Sequence, residues 1–181
     1  MSGSIQDIFA VASVLLRYPD SYLLESLDEL GSMIDSLPEV HRGAFSKFII
    51  YLKSNDAESL QENYVQTFDF EEKNCLYLTH SSYGARPERG VELLKINSQY
   101  KSAGLLLDAP ELPDYLPVFL EYLSIAPESQ SKNLVKEYID SISKIKENLE
   151  RSGSLYSIVL SACISAMNEM MGTRWNRFGF H

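Results

Sequence analysis

A chain of 181 residues has room for one domain with a substantial buried core, and its 45% hydrophobic content excludes a disordered chain. The net charge of −9 sets the surface against phosphate backbones. That removes nucleic acid as a general partner and favours a basic one, although solubility alone also accounts for an acidic surface. No run approaches the roughly 20 apolar residues that span a bilayer: stretches 9–16 and 155–167 are short and broken by Ser or Cys. The residues before the first of these carry no basic side chain of the kind that opens a secretory signal. The expectation is a soluble, cytoplasmic protein with no stable membrane insertion.

Helical periodicity runs through the chain. After Ser4, a capping residue, Ile5, Ile8, Phe9, Ala12, Leu15 and Leu16 recur at i, i+3, i+4 spacing. Tyr18-Pro19-Asp20 stops that helix, and Asp20 suits the cap of a second, striped by Leu23, Leu27, Leu30 and Ile34. Pro38 opens a third, with Phe45, Phe48 and Leu52 on its buried face. Ser54-Asn55-Asp56 forms a turn and cap before Leu60, Tyr64 and Phe68.

The stretch 64–83 is less regular and dense in aromatic side chains: Tyr64, Phe68, Phe70, Tyr77 and Tyr83. Gly84-Ala85-Arg86-Pro87 punctuates it, and Pro87 opens a helix expected to carry Val91, Leu94, Tyr100 and Leu107. Asp108-Ala109-Pro110-Glu111-Leu112-Pro113-Asp114 is a proline-marked connection. Asp114 then suits the cap of a helix through Leu116, Phe119, Leu120 and Leu123, which tolerates Pro117 in its first turn. A long helix follows Ala126-Pro127, with Leu134, Tyr138, Ile142, Ile145 and Leu149 at core spacing. Gly153 ends it, and Leu155, Ile158, Ala162 and Met167 mark a last one.

No alternating pattern lasts long enough for a sheet, so the fold class expected is all-α: a single-domain bundle of about eight or more helices over residues 1–170. Residues 171–181, with Arg174, Trp175, Arg177, Phe178 and Phe180, form a tail that is either mobile or a binding segment. Catalytic motifs are missing. There is no phosphate-binding loop, no Gly-x-Ser-x-Gly elbow and no Cys–His pair at a familiar spacing. Cys75 and Cys163 read as buried free thiols, and His41, His80 and His181 are too scattered for a metal site. Asp69, Glu71 and Glu72 form a carboxylate cluster able to serve as acid and base or to hold a cation, and equally able to be a solvated helix end.

Taken in order, Leu15-Leu16-Arg17-Tyr18-Pro19, Tyr64-Val65-Gln66-Thr67-Phe68-Asp69-Phe70 and Leu76-Tyr77-Leu78-Thr79 resemble the nitrate reductase delta-subunit (NarJ) family. Tyr83-Gly84, Arg89-Gly90, Tyr100-Lys101-Ser102-Ala103-Gly104-Leu105 and Glu111-Leu112-Pro113-Asp114-Tyr115-Leu116-Pro117 extend the match. That family belongs to the TorD/DmsD group of redox enzyme maturation proteins. Two positions depart from its pattern: Tyr115 stands where the family usually has His, and Ala85 where an acidic residue is common after Tyr-Gly. No role of that imidazole transfers to this chain.

The resemblance implies a helical chaperone that is not an enzyme and keeps no cofactor or metal of its own. It would bind the N-terminal segment of the catalytic subunit of a molybdopterin oxidoreductase, nitrate reductase or a relative, while the molybdenum cofactor and iron–sulfur clusters are inserted. It would act as a monomer or homodimer, with 110–113 as a plausible hinge. Tyr64, Phe68 and Tyr77 would form an aromatic wall for a client helix, and Asp69, Glu111 and Asp114 a rim for its basic groups, with Tyr115 in the adjoining turn. Tyr64 and Phe68, at i and i+4, suit the core equally well. A structural subunit of a respiratory complex and a small nucleotide-hydrolysing enzyme are the rival readings.

Overall fold

Ser4 gives the first helix a complete cap. Its hydroxyl accepts from the Asp7 N–H at 3.2 Å, and Asp7 Oδ2 accepts from the Ser4 N–H at 2.6 Å. The computed structural model describes residues 3–107 and 111–172. Among these are ten α-helices and no β-strand, so the all-α expectation holds.

The helices are α1 (Ile5–Leu15), α2 (Ser21–Glu25), α3 (Leu27–Asp35), α4 (Glu39–Lys53), α5 (Ala57–Phe68), α6 (His80–Tyr83), α7 (Glu88–Ser102), α8 (Leu116–Ile125), α9 (Glu128–Arg151) and α10 (Tyr156–Met170). A 3-10 turn, Glu72–Asn74, lies between α5 and α6. The expected stops and caps recur. Asp20 and Asp56 accept from the N–H groups of Leu23 and Ser59, each at 2.9 Å, and Pro38, Pro87 and Pro127 stand immediately before α4, α7 and α9. The stripe from Leu23 to Ile34 is split into two short helices at Ser26, with Leu23, Leu27, Leu30 and Ile34 all buried.

The centre of the molecule is the pair α1 and α8. Both are apolar on nearly all sides, which is the pattern of a helix surrounded by others: Ile8, Phe9, Val11, Ala12 and Leu15 of α1 are buried, as are Leu116, Val118, Phe119, Leu120, Tyr122 and Leu123 of α8. α10 packs against α1, α4 and α9, and α3 against α4 and α1. The longer α9 is one-sided, burying Leu134, Val135, Tyr138, Ile142, Ile145 and Leu149. It ends where predicted. Gly153, at φ 72°, lets the Ser154 N–H reach back to Leu149 O at 2.9 Å and its own N–H to Glu150 O at 3.0 Å.

The sequence misjudged five positions. Val91 and Leu94 on α7 are 71% exposed, not buried. The inward stripe of α7 is instead Arg89, Glu92, Ile96 and Tyr100, in which a carboxylate bonds the Tyr138 hydroxyl and the neighbouring Lys95 pairs with Glu137 at 2.6 Å. Polar ties to α9 thus fix its rotation, and hydropathy spacing does not record them. Leu107 packs partly buried against the core beyond the end of α7. Asp114 does not cap α8; Tyr115 holds that position without a side-chain cap, and the Asp114 carboxylate turns to Thr79 and Arg89. A buried anion gains more from a cation than from a helix end. Cys163 is fully buried as expected, whereas Cys75 is only partly so. The aromatic tail beyond Gly172 and residues 108–110, the last of which begins the expected hinge, lie outside the described residues.

No helix among the described residues is long and apolar enough to cross a membrane.

Candidate functional site

The end of α5 and the loop after it approach the turn before α8 as a short antiparallel pairing. Leu116 N–H donates to Leu76 O at 2.8 Å and Leu78 N–H to Asp114 O at 2.9 Å, which sets Tyr77 opposite Tyr115. Residues facing each other between such bonds have neighbouring side chains, and the two tyrosine rings lie 5.2 Å apart at 33°. Beside them α5 supplies Tyr64 and Phe68, whose rings are 4.8 Å apart, and Tyr18 after α1 meets Tyr64 edge to face at 5.6 Å.

Together these residues surround an open cleft of about 230 Å³, lined by Tyr18, Tyr64, Phe68, Asp69, Cys75, Leu76, Tyr77, Glu111 and Tyr115. Six of the seven residues singled out in the sequence are therefore brought together: Tyr64, Phe68, Asp69, Tyr77, Glu111 and Tyr115. Tyr64 and Phe68 are each only 5% exposed, so they present an edge to the cleft while serving the core, where Phe68 also meets Tyr156 at 4.8 Å. Asp69 and Glu111 are exposed at its mouth. Asp114, the seventh, is not on the rim. It is 0% exposed, behind the pairing, where Thr79 Oγ1 donates to its Oδ2 at 2.6 Å and Arg89 Nη2 at 3.1 Å.

Hydroxyls organise the wall. Tyr64 Oη donates to Leu16 O at 3.0 Å, and its one proton is then spent, so the Tyr115 hydroxyl must donate to Tyr64 Oη across their 3.0 Å contact. Burial raises the pKa of Tyr64 and of Tyr115, and for Tyr77 burial is joined by the Glu111 charge, so all three stay neutral. Burial also pushes the Cys75 thiol up, which makes it a poor nucleophile near neutral pH. None of the lining residues is basic. The cleft is an apolar, hydroxyl-tipped wall with carboxylates at its mouth. Its volume lies below the roughly 300–1,000 Å³ of small-molecule pockets.

Sequence reasoning missed three lining residues. Tyr18 reads as part of a helix stop, and Cys75 and Leu76 fall in a loop without periodicity. The Arg89–Asp114 pair was also missed, because its members stand 25 positions apart; a buried aspartate's need for a cation is the one signal that points to it. Among the described residues no group of three or more His, Cys, Asp and Glu side chains is placed to hold a metal ion.

Fold and cleft together define an all-helical protein whose prepared surface is aromatic and acid-rimmed. The chain belongs to the nitrate reductase delta subunit family, which it matches over residues 34–161. It is 32% identical over 170 residues to the probable nitrate reductase molybdenum cofactor assembly chaperone NarJ of Bacillus subtilis (strain 168), covering 93% of this chain and 92% of that protein. Against the nitrate reductase molybdenum cofactor assembly chaperone NarJ of Escherichia coli (strain K12) it is 29% identical over 161 residues, 87% of this chain and 68% of that one. A similar likeness, 32% over 127 residues, extends to the probable chaperone NarW of the same organism, over 69% of this chain and 52% of NarW. These relatives are named as assembly chaperones and not as catalysts, in keeping with a sequence that offers no catalytic set.

Proposed function

We propose that the chain is an assembly chaperone for a molybdenum-containing nitrate reductase, and that its cleft takes the N-terminal segment of the catalytic subunit. The observation that carries this reading is the gathering of Tyr64, Phe68, Tyr77 and Tyr115 with Asp69 and Glu111 around one cleft. Aromatic side chains give large contact area at small entropic cost and dominate such interfaces. Exposed ion pairs at the mouth add about 0–1 kcal/mol each, so apolar contact supplies most of the affinity and charge selects register. The work is done in the cytoplasm, before cofactor and iron–sulfur insertion are complete, and the chaperone is absent from the finished enzyme.

The test is co-purification from cells starved of molybdenum, using catalytic subunit with and without its N-terminal segment. The chain is expected to come down with the full-length, cofactor-free subunit, to lose the truncated one, and to be missing from the mature enzyme. Stoichiometric retention in the mature enzyme would make it a structural subunit instead.

A further inference from the structure

We infer that Arg89 of α7 is a positioning residue for the cleft, setting the distance between Tyr77 and Tyr115 through the buried Asp114. The inference rests on reading the cleft as the client site. Arg89 does not line the cleft. Its guanidinium donates from Nε to Thr79 Oγ1 at 3.0 Å and from Nη2 to Asp114 Oδ2 at 3.1 Å. The Thr79 hydroxyl donates to the same Oδ2 at 2.6 Å, and its backbone N–H adds a bond of 3.2 Å. The three side chains close a ring.

Arg89 is 20% exposed while Asp114 is wholly buried, and Asp114 Oδ1 has no hydrogen-bond partner among the described residues. A carboxylate out of water, with one oxygen unsatisfied, depends on its cation. The residues flanking this ring are the paired ones: Leu78 N–H donates to Asp114 O, and Leu116 N–H to Leu76 O. Tyr77 and Tyr115 stand between those two bonds. Tyr100, also on α7, ties the same turn by donating from Oη to Pro113 O at 2.7 Å. Without Arg89 the ionised carboxylate must find water, which draws the turn carrying Tyr115 away from the loop carrying Tyr77. A general core residue would instead act through α1, α8 and α10, which Arg89 does not touch through any of these bonds.

Amide hydrogen exchange on the full chain, without any peptide, tests this. In Arg89→Ala the Leu78 and Leu116 amides are expected to exchange at least tenfold faster, with those of α1 and α10 unchanged. Arg89→Lys should fall between, since an ammonium restores charge without the two-armed geometry. The double variant Arg89→Ala/Asp114→Asn should return both amides to within about threefold of the parent, because an amide oxygen still accepts from Thr79 and no charge is left stranded. Unchanged protection in Arg89→Ala, loss spread evenly through α1 and α10, or a double variant no better than the single would each overturn the assignment. If Arg89→Ala does not fold, the comparison is made with Arg89→Met, which keeps the aliphatic stem. Failure of the parent protein to bind a client peptide strikes at the proposed function alone, because exchange is read in its absence.

Discussion

Tyr64 joins three parts of the chain through one hydroxyl: it sits on α5, donates to the Leu16 carbonyl at the end of α1, and receives the Tyr115 hydroxyl from the turn before α8. Tyr64→Phe keeps the ring contacts with Tyr18, Phe68 and Tyr156 but leaves a carbonyl without that donor. The expected loss is about 1–2 kcal/mol, seen as a lower denaturation midpoint with unchanged slope. Cys75 reports on the cleft directly. Its thiol is held protonated by burial, so alkylation should be slow near neutral pH and accelerate as pH climbs through the raised pKa, the thiolate being the reactive form. A bound client segment should slow that labelling further, while Cys163, fully buried and also pushed up, stays unlabelled until the chain unfolds. Labelling of Cys75 at the same rate with and without the catalytic subunit's N-terminal peptide would count against the cleft.

At the scale of elements, α7 separates hydropathy from packing. Leu94→Ser should change stability by no more than about 0.5 kcal/mol, because the side chain is mostly in water, whereas Ile96→Ala, at 0% exposure, should cost about 2–4 kcal/mol. Thermal unfolding of the two variants checks the rotation of the helix, and a reversed order would mean that α7 packs on its other face. This helix also marks the limit of what could be read beforehand. Caps, prolines and the apolar stripes of α1, α4, α9 and α10 are local signals, and they located those helices correctly. The stripe of α7 mixes charge with apolar residues, so its partners Tyr138, Glu137 and Asp114 had to be seen in space. Asp114 illustrates the same point within the site. An aspartate before a helix looks like a cap, and only the approach of Arg89 from another element makes it a buried ion. The cleft residues were named from the order of family-like segments; their convergence depends on one two-residue pairing between Tyr77 and Tyr115, too short to leave a strand pattern.

For the whole molecule, the proposed function implies that a net charge of −9 and a neutral aromatic wall divide recognition between long-range attraction and contact. The first would draw a basic segment in and weaken as salt rises; the second would hold it and depend on apolar area. Membership of the nitrate reductase delta subunit family accords with the proposed role of holding a partner that awaits its cofactor. Calorimetric titration of the catalytic subunit's N-terminal peptide into the parent chain and into Tyr77→Ala/Tyr115→Ala addresses the central claim most directly. Both tyrosines are partly exposed, so the fold should survive their truncation. The parent is expected to bind, and the double variant to bind at least tenfold more weakly with the same unfolding midpoint as measured by circular dichroism. Equal affinity in the two proteins, with both folded, would contradict the account and return the aromatic residues to the core alone.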